Sequence, residues 1–363
     1  MRRAKYPEDA VQSYTVFLRN ENLPLLGPCT TPAYPSWMND DHTPVEFSLI
    51  LREASKSLVW FTFEPSTLPL AGDRSITTLR RTLERLSFHL EMQPQFDLEW
   101  FDICAEELLL AETQGSNCAQ YFGFNFLKGL DCAHHSAIAK VYFMPRIRTL
   151  VSNETSVELL QRMTYRMDLV TPWEKISCFL ARFLPGDRPE IEIVAVDCVP
   201  CAQNRLKIYF RTDILSYTHM KYFLTLGRSL SATGLRNAQL MWSAITQVTG
   251  EADSASPTQA PYFPSGLIYY ELKQDDDSPS AEVYLPVRRY LPNDLGSIRL
   301  PIERLFSSLS GSSIPNDYPD FIQTVFSHRD LSIRTGIHTY VACTVKPGGS
   351  DISVYYSPEA FAS

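Results

Sequence analysis

The sequence predicts an α+β fold, a closed antiparallel barrel of about ten strands that is ringed by helices and built from repeated ααββ units. Three observations lead to this prediction. A strand-like segment of four residues, called the recurring phrase, occurs along the chain at steps of roughly 70 residues, longer than most solenoid periods. Paired segments with helical spacing lie between the copies, and a further strand candidate precedes each copy. Because no Gly/Ser-rich linker divides it, the chain is predicted to form a single domain over residues 1–363.

The recurring phrase puts polar side chains on one face of a strand, because residues i and i+2 face the same side. Each copy therefore places a tyrosine on one face, and two copies add a lysine there, while the residue between faces the other side. Such a face is expected to look into water or onto an anion. Alternatively, the strands are ordinary half-exposed strands and these polar side chains face solvent. The copies are residues 140–143, 207–210, 282–285 and 353–356.

The other elements follow in a regular order. An opening helix is predicted over residues 7–20 and a strand pair over 45–52 and 58–64. Apolar residues at three- and four-residue intervals, as in Leu79, Leu83 and Leu86, are typical of amphipathic helices that cover a sheet. The helix pairs are predicted at 75–92 and 96–111, 156–167 and 172–184, 213–226 and 235–248, and 300–309 and 317–328. The strands that precede the copies are predicted at 120–127, 190–197, 266–273 and 339–345.

Antiparallel strand pairs separated by helix pairs can form an open sheet or a closed barrel. Closure removes the exposed edges of a sheet. A barrel of about eight strands is filled by its own side chains, whereas about ten strands leave room for a ligand and allow polar interior positions. The lysines and tyrosines of the recurring phrase are therefore predicted to point into a lumen.

Composition excludes several classes of protein. With a formal net charge of -8 and Lys+Arg 33 against Asp+Glu 41, the chain lacks the basic surplus of a nucleic-acid-binding protein. The start of the chain is followed by a polar helix rather than an apolar run, so no signal peptide is expected. No stretch approaches the length of a membrane span. The sequence therefore predicts a cytoplasmic protein with no membrane or nucleic-acid partner.

Cysteine spacing gives no metal or redox site. The 8 cysteines are scattered, and cytoplasmic residence predicts free thiols. Cys198 and Cys201 have redox spacing but lack the helix start that would lower the pKa of a thiol. Cys132, His134 and His135 share a short turn without a second ligand group, so metal binding there is not expected.

Familiar phosphate and catalytic motifs are absent from the sequence. It contains no Walker loop, no Gly-x-Gly-x-x-Gly, no Gly-x-Ser-x-Gly and no Asp-Asp-x-x-Asp. Residues 275–277 are three aspartates, which we interpret as a solvated turn between two strands. No metal site is predicted, so an anion inside the barrel would have to be held by the walls.

Cationic and phenolic side chains share the predicted inner face. Arg205, Lys207 and Tyr209 lie on one strand face, as do Lys140 and Tyr142. Lysine and arginine donate charge-assisted hydrogen bonds to phosphate oxygens, and tyrosine hydroxyls add neutral donors. Tyrosine rings also stabilise a cation, by about 0.5–2 kcal/mol per contact. This combination suits the ionisation of an allylic diphosphate.

Several longer motifs carry a resemblance to a known family. They are residues 37–48 (Trp-Met-Asn-Asp-Asp-His-Thr-Pro-Val-Glu-Phe-Ser), 140–145, 205–209, 283–290 with Asn293 and Asp294, and the His-Thr-Tyr at 338–340. Over residues 6–358 the chain resembles the fungal dimethylallyltryptophan synthase family. These are indole or aromatic prenyltransferases of secondary metabolism with a repeated ααββ barrel.

The resemblance implies roles for individual residues. Glu46 matches the glutamate that accepts the indole N–H, and Lys128 resembles a lysine proposed as the proton acceptor in rearomatisation. Lys140, Arg205 and Lys207 match diphosphate ligands, and the matching tyrosine shield is Tyr142, Tyr209, Tyr284 and Tyr355. The implied mechanism is metal-independent alkylation of an aromatic acceptor through an allylic cation, with a prenyl diphosphate (dimethylallyl or longer) as co-substrate and no cofactor. A monomer or homodimer is expected.

Three positions depart from the family pattern. Trp60 stands where the family usually has arginine, Glu282 where it has lysine or glutamine, and Asp351 where it has tyrosine. Losing donors and gaining carboxylates is expected to weaken a diphosphate site, since like charges a few ångströms apart repel. Arg52 or Lys56 could compensate for the lost donors, or Arg288 could neutralise Glu282. A larger isoprenoid or a different reaction could also explain the three changes.

Three functional hypotheses follow. The first is an aromatic prenyltransferase, which the presence of Glu46 favours. The second is a prenyl-diphosphate cyclase without an aromatic acceptor, in which Trp60 joins the tyrosines as a cation-stabilising wall. The third is a barrel that has lost diphosphate chemistry and cyclises or binds another molecule, which Arg205 and Lys207 oppose. The identity of the acceptor, the position alkylated and the prenyl length stay open.

Overall fold

Ten antiparallel strands close into one barrel. The computed structural model describes residues 1–27, 36–51, 57–65, 76–90, 95–109, 120–128, 137–184, 186–214, 216–227, 232–248, 266–310, 318–345 and 351–361. Each strand pairs with its neighbours in sequence, and the last strand returns to the first, so the predicted barrel is confirmed. The strands are β1 (Val45–Leu51), β2 (Leu58–Phe63), β3 (Tyr121–Phe126), β4 (Ala137–Phe143), β5 (Glu190–Asp197), β6 (Leu206–Thr212), β7 (Gly266–Lys273), β8 (Asp276–Pro286), β9 (His338–Val345) and β10 (Ile352–Tyr356).

Helices lie between successive strand pairs, as the sequence predicts. In the described part of the chain they are α1 (Glu8–Phe17), α2 (Leu23–Leu26), α3 (Ile76–His89), α4 (Glu99–Leu108), α5 (Pro145–Thr149), α6 (Ser156–Arg166), α7 (Val170–Leu180), α8 (Tyr217–Leu224), α9 (Ala232–Thr246), α10 (Arg299–Ser310) and α11 (Tyr318–Val325). Helix α6 begins with a capping box between Thr155 and Glu158, which satisfies backbone N–H groups at the helix start.

The outer faces of the strands and the apolar faces of the helices form the main core. On β3, Phe122, Phe124 and Phe126 are all fully buried, and they alternate with residues that face the lumen. Trp100 of α4 and Trp173 of α7 are buried in the same core. A second, separate apolar cluster consists of side chains inside the barrel, namely Ala195, Tyr209, Leu267, Tyr269, Tyr284, Ala342 and Tyr355.

Two predicted boundaries are wrong. The opening helix does not run to residue 20, because a π-helical turn follows Phe17 and α2 then restarts with a proline in its first turn. Proline has no N–H for the i to i−4 hydrogen bond, so it is tolerated only near a helix start. The predicted acidic turn is shorter than 275–277, because Asp276 already pairs with Lys273 and begins β8. Both Asp276 and Asp277 are exposed, in keeping with their solvated interpretation.

Candidate active site

Strand register stacks the lumen-facing side chains in three layers. The lower layer contains Trp60, Lys140, Asp197, Arg205, Lys207, Glu271, Glu282 and Thr344. The middle layer, the tyrosine belt, contains Tyr142, Tyr209, Tyr269, Tyr284 and Tyr355. The upper layer contains Glu46, Thr62, Tyr121, Glu192, Arg211, Thr339 and Tyr340.

Three buried or half-buried cations of the lower layer are held by carboxylates. Asp197 bridges two of them, with Lys140 Nζ at 2.6 Å from Oδ1 and Arg205 Nε at 2.6 Å from Oδ2. Glu271 Oε2 lies 3.3 Å from Arg205 Nη1 and 3.9 Å from Lys207 Nζ. The predicted cations therefore do converge, and they already have acidic partners inside the chain.

Asp197 and Glu271 were missed by the sequence reasoning. Their signal was the strand pairing, since Lys140 lies opposite Asp197 and Lys207 lies opposite Glu271. Opposite-charge pairs of this kind stabilise neighbouring strands. Finding them from the sequence would have required the register between strands, which the residue pattern of a single strand does not give.

Glu282 is held by hydroxyl groups. Tyr269 Oη and Thr344 Oγ1 each donate to Glu282 Oε2 at 2.6 Å. The predicted neutralisation by Arg288 is wrong, because Arg288 pairs with Asp40. The other two candidates, Arg52 and Lys56, lie outside the described residues.

Asp351, the third departure from the family pattern, directly precedes β10. Its backbone carbonyl accepts the N–H of Thr344 at 3.1 Å. Asp351 therefore adjoins the residue that holds Glu282.

Trp60 lies against the lysines of the lower layer. The ammonium groups of Lys140 and Lys207 are 5.3 and 5.8 Å from its ring centroid, within the range of cation–π attraction. Its Nε1–H is buried and has no hydrogen-bond partner among the described residues. Trp60 therefore presents an unused donor at the position where the family usually has arginine.

Burial and repulsion between neighbouring cations lower the pKa values of Lys207 and Lys140. Burial, then the neighbouring Lys140 and Arg205, lower the pKa of Lys207 to about 7. Burial also lowers the pKa of Lys140, although Asp197 opposes this shift. For Asp197 burial favours the neutral acid, yet Lys140 and Arg205 together hold its pKa well below the usual value. The lower layer is thus a strongly coupled set of charges.

The tyrosine belt is continuous. The ring centroids of Tyr142 and Tyr209 are 6.3 Å apart, those of Tyr209 and Tyr284 are 6.2 Å apart, and those of Tyr284 and Tyr355 are 5.2 Å apart. Burial raises the pKa of these phenols, so they stay neutral near pH 7. The belt therefore offers neutral hydroxyls and π faces without adding charge.

Gly123 makes room for the belt. A Cβ atom at this position would lie 3.1 Å from Cε2 of Tyr142 and 3.4 Å from Oγ1 of Thr62. The ring of Tyr142 would have to shift by a few tenths of an ångström to accommodate a larger residue. The glycine therefore sets how closely Tyr142 approaches the wall.

Glu46 lies on the other side of the belt. Its Oε2 accepts a 3.4 Å hydrogen bond from Thr339 Oγ1. Withdrawal from water raises the pKa of Glu46 to about 8, although the contact with Thr339 opposes the shift. The hydroxyl of Tyr121 is buried and lacks a hydrogen-bond partner within the described residues. This end of the lumen thus holds a carboxyl group that is mostly protonated near pH 7.

Arg211 adds a positive charge to the upper layer. It forms a two-point contact with Glu192, with Nη2 at 2.7 Å from Oε1, and its Nη1 donates to Tyr340 Oη at 3.1 Å. Sequence reasoning did not assign these residues. Arg211 follows Tyr209 with the same two-residue step that links Arg205, Lys207 and Tyr209, which was the available signal.

Lys128 is not brought together with Glu46. It follows the end of β3, donates to the carbonyl of Ala4, and lies 5.0 Å from the ring centroid of Tyr6. The alternation of β3 turns it towards the N-terminal segment rather than the lumen.

The described residues were also compared with the requirements of a metal site, a reactive thiol and a membrane span. In the part of the chain that is described, no group of three or more His, Cys, Asp or Glu residues could hold a metal ion. Cys198 is buried and burial raises the pKa of its thiol, while Cys132, His134 and His135 lie outside the described residues. No helix among the described segments has the length and apolar character needed to cross a membrane.

A family model described as tryptophan dimethylallyltransferase matches residues 1–319. Among curated proteins, the 4-O-dimethylallyl-L-tyrosine synthase of Claviceps purpurea is 28% identical over 385 residues, covering 99% of this chain and 85% of the relative. A 7-dimethylallyltryptophan synthase of Aspergillus fumigatus is 22% identical, covering 99% of this chain and 82% of the relative. Both similarities run along nearly the whole chain.

Solved structures share the fold. The crystal structure of NotF in complex with brevianamide F and DMSPP superposes with a TM-score of 0.81 at 20% identity, covering 98% of this chain and 90% of NotF. AnaPT from Neosartorya fischeri superposes with a TM-score of 0.78 at 22% identity, covering 96% of this chain and 88% of AnaPT. At these identities the likeness concerns the barrel and its helices.

Proposed function

The chain belongs to the tryptophan dimethylallyltransferase family, and we propose that it transfers a prenyl group from an allylic diphosphate to an aromatic acceptor inside its barrel, without a divalent metal. The observation that carries this proposal is the order of the layers. Lys140, Arg205 and Lys207 lie below the tyrosine belt, and Glu46 lies above it. A diphosphate and an aromatic acceptor would meet across the belt.

The lower layer would bind the diphosphate and stabilise it as it leaves. When the allylic C–O bond breaks, the electron pair stays on the departing oxygen. Lys140, Arg205 and Lys207 are preorganised donors for that growing negative charge. Trp60 would contribute its unused Nε1–H as a further neutral donor.

The belt would shield the allylic cation. Its π faces attract positive charge, and its neutral hydroxyls do not act as competing anionic nucleophiles. The acceptor carbon or heteroatom then donates its electron pair to the cation and forms the new bond. The proton that it loses passes to the departed diphosphate or to solvent.

The upper layer would hold the acceptor. Glu46 lies beside Thr339, where an N–H or O–H of the acceptor would donate to it and favour its ionised form. The carboxylate would then make the ring more electron-rich. Arg211 and Glu192 offer opposite charges at the same end. We infer that they suit the carboxylate and ammonium of a free aromatic amino acid, the acceptor class in the names of the tyrosine and tryptophan relatives.

The position of Trp60 gives little support to the cyclase alternative. Its ring contacts the lysines of the lower layer, whereas a wall for a cyclising cation would be expected within the belt. The cytoplasmic location and the monomeric or homodimeric state stay predictions from the sequence.

Product analysis with a set of donors and acceptors tests the proposal. The protein would be incubated with dimethylallyl, geranyl or farnesyl diphosphate, with and without tyrosine or tryptophan. Glu46→Gln should suppress transfer to the aromatic acceptor and leave slow hydrolysis of the prenyl diphosphate. Glu174→Gln, on the exposed surface of α7, is the matched control. Unchanged transfer in Glu46→Gln, together with loss of all products in Trp60→Ala, would favour the cyclase instead.

A further inference from the structure

Within the lower layer, the cations and the carboxyl groups are equal in number. Lys140, Arg205 and Lys207 are matched by the carboxyl groups of Asp197, Glu271 and Glu282. Lys273, at the exposed rim, pairs with Glu271 as well. A diphosphate entering this layer would therefore add several negative charges to a site that is already neutralised.

Glu282 differs from the other two carboxylates. Asp197 and Glu271 are in ion pairs with the cations, and the cations lower the pKa of both groups against the effect of burial. The hydrogen-bond partners of Glu282 among the described residues are the neutral hydroxyls of Tyr269 and Thr344. Protonating Glu282 would thus break no ion pair.

Tyr269 connects Glu282 to the cation site. Lys207 Nζ donates to Tyr269 Oη at 3.2 Å, and the same hydroxyl donates to Glu282 at 2.6 Å. While Glu282 is ionised, the Tyr269 proton is committed to it. A neutral Glu282 would accept that proton less strongly, and the phenol could donate to an anion beside Lys207 instead.

We propose that Glu282 takes up one proton from solvent when the diphosphate binds, and that Tyr269 then turns its hydroxyl to the bound anion. The proton returns to solvent when the diphosphate leaves, so no other reactant is needed. This inference rests on the proposed function, because it concerns the same diphosphate site. Glu282 acts here as a positioning residue through Tyr269.

A test must distinguish proton uptake by Glu282 from proton uptake by the other titratable groups around it. The tyrosines near it have raised pKa values because they are buried, so they are already protonated. Lys207 is the competitor, since its pKa of about 7 lets it gain a proton as well. The groups that interact with Glu282 are Tyr269 from β7, Lys207 and Tyr209 from β6, Tyr284 from β8, Thr344 from β9 and Tyr355 from β10.

Infrared difference spectroscopy distinguishes a carboxyl group from a lysine. Inorganic pyrophosphate would be added to the full-length protein near neutral pH, with binding confirmed by calorimetry. The wild-type difference spectrum should gain the C=O stretch of one protonated carboxylic acid, which lysine protonation cannot produce. The band should be missing in Glu282→Gln and present in Glu46→Gln, because Glu46 lies at the other end of the lumen. Carboxyl-labelling of the glutamates with ¹³C should shift the band in the wild type itself, whereas a band from Asp197 would not move.

Affinity provides a second measurement. By proton linkage, uptake of one proton weakens binding by up to about tenfold per unit rise in pH. The affinity for pyrophosphate should therefore fall more steeply with pH in the wild type than in Glu282→Gln, and the variant should bind more tightly at alkaline pH.

The outcomes separate this inference from the proposed function. Pyrophosphate binding without a new carboxyl band, or a band that persists in Glu282→Gln, would overturn the role of Glu282 and leave the prenyl-transfer proposal standing. Failure of pyrophosphate to bind the wild type at any pH would overturn both.

Discussion

Lys207 shows how the site sets function against stability. It is buried in the lower layer close to two other cations, and burial and repulsion lower its pKa to about 7. A neutral or apolar residue would fit more comfortably there. Its ammonium group, however, lies 4.3 Å from the ring centroid of Tyr269 and within reach of any anion in the lumen. Glu271 offsets part of this cost at 3.9 Å, and an anion bound in the lumen would favour the charged form of Lys207 further.

Replacing Lys207 should impair turnover with every acceptor. Lys207→Ala removes a preorganised donor for the departing diphosphate, which is worth about 2–4 kcal/mol in the transition state. The measurement is kcat/KM for dimethylallyl diphosphate with several acceptors. Lys221→Ala, on the exposed face of α8, should behave as the wild type. A loss confined to one acceptor would contradict the assignment of Lys207 to the diphosphate.

Glu46 should make stability depend on pH. Its pKa is about 8 in the folded protein and about 4.5 in the unfolded chain, so the folded state binds more protons between these values. The contribution of Glu46 to stability is therefore fully present below pH 4.5 and is lost as the pH rises through about 8. Glu46→Gln should remove this dependence and gain stability relative to the wild type at about pH 8.

Urea denaturation at several pH values measures this effect. The difference in unfolding free energy between Glu46→Gln and the wild type should grow from about pH 5 to about pH 8. Glu174→Gln, at an exposed position, should show no such trend. A constant difference across the range would mean that Glu46 is ionised in the folded protein.

At the residue scale the sequence predicted the cations and tyrosines but not their acidic partners. Lys140, Lys207 and Tyr209 could be identified because a two-residue step fixes which side chains share a face. Asp197 and Glu271 could not, because their role depends on which residue lies opposite on the next strand. Register between strands is set by loops and packing that a single strand pattern does not contain.

At the scale of elements, Asp294 anchors the start of β9. Its carboxylate accepts the backbone N–H groups of Ile337 at 3.0 Å and His338 at 2.9 Å, and the ring N–H of His338 at 2.8 Å. On the other side of the imidazole, Nε2 is 3.0 Å from the hydroxyl of Tyr318. All of these groups are buried, so each depends on this internal network.

Asp294→Asn should destabilise the fold strongly. The amide nitrogen of asparagine cannot accept from the N–H groups that the lost oxygen served, and each buried donor left unpaired costs about 1–3 kcal/mol. The urea midpoint should fall while the slope of the transition is retained. Asp187→Asn, at an exposed position, should leave the midpoint unchanged. A wild-type midpoint in Asp294→Asn would show that the network contributes little.

The elements themselves were predicted with different success. Strands were located well, because their alternation is unambiguous beside turn residues, as for β5 and β7. Helix ends shifted by several residues, as at α8, which begins at Tyr217 where the Ser216 hydroxyl accepts the N–H of His219. A cap is a local hydrogen bond and decides the boundary more sharply than hydrophobic spacing does. The short helix α5 was not predicted, because a single turn has no periodicity to detect.

At the scale of the whole molecule, closure joins the two ends of the described chain. Strand β10 pairs with both β9 and β1, so the last strand completes the wall that the first one opens. Tyr355 of β10 belongs to the belt and lies beside Ser48 of β1. The lumen therefore depends on contacts between residues about 300 positions apart, and folding must bring them together before the site exists.

The closed lumen also bears on whether prenyl transfer needs a divalent metal ion. A magnesium-dependent enzyme presents free carboxylates to the ion that carries the diphosphate. In this lumen Asp197 and Glu271 are already held by Lys140, Arg205 and Lys207. We therefore expect EDTA to leave prenyl transfer largely intact, measured as product formed from dimethylallyl diphosphate and an aromatic amino acid. Lys207→Ala should lower the rate equally with and without EDTA. Loss of activity in EDTA with recovery on adding magnesium would show that a metal, rather than the lysines and arginine of the lower layer, neutralises the leaving diphosphate.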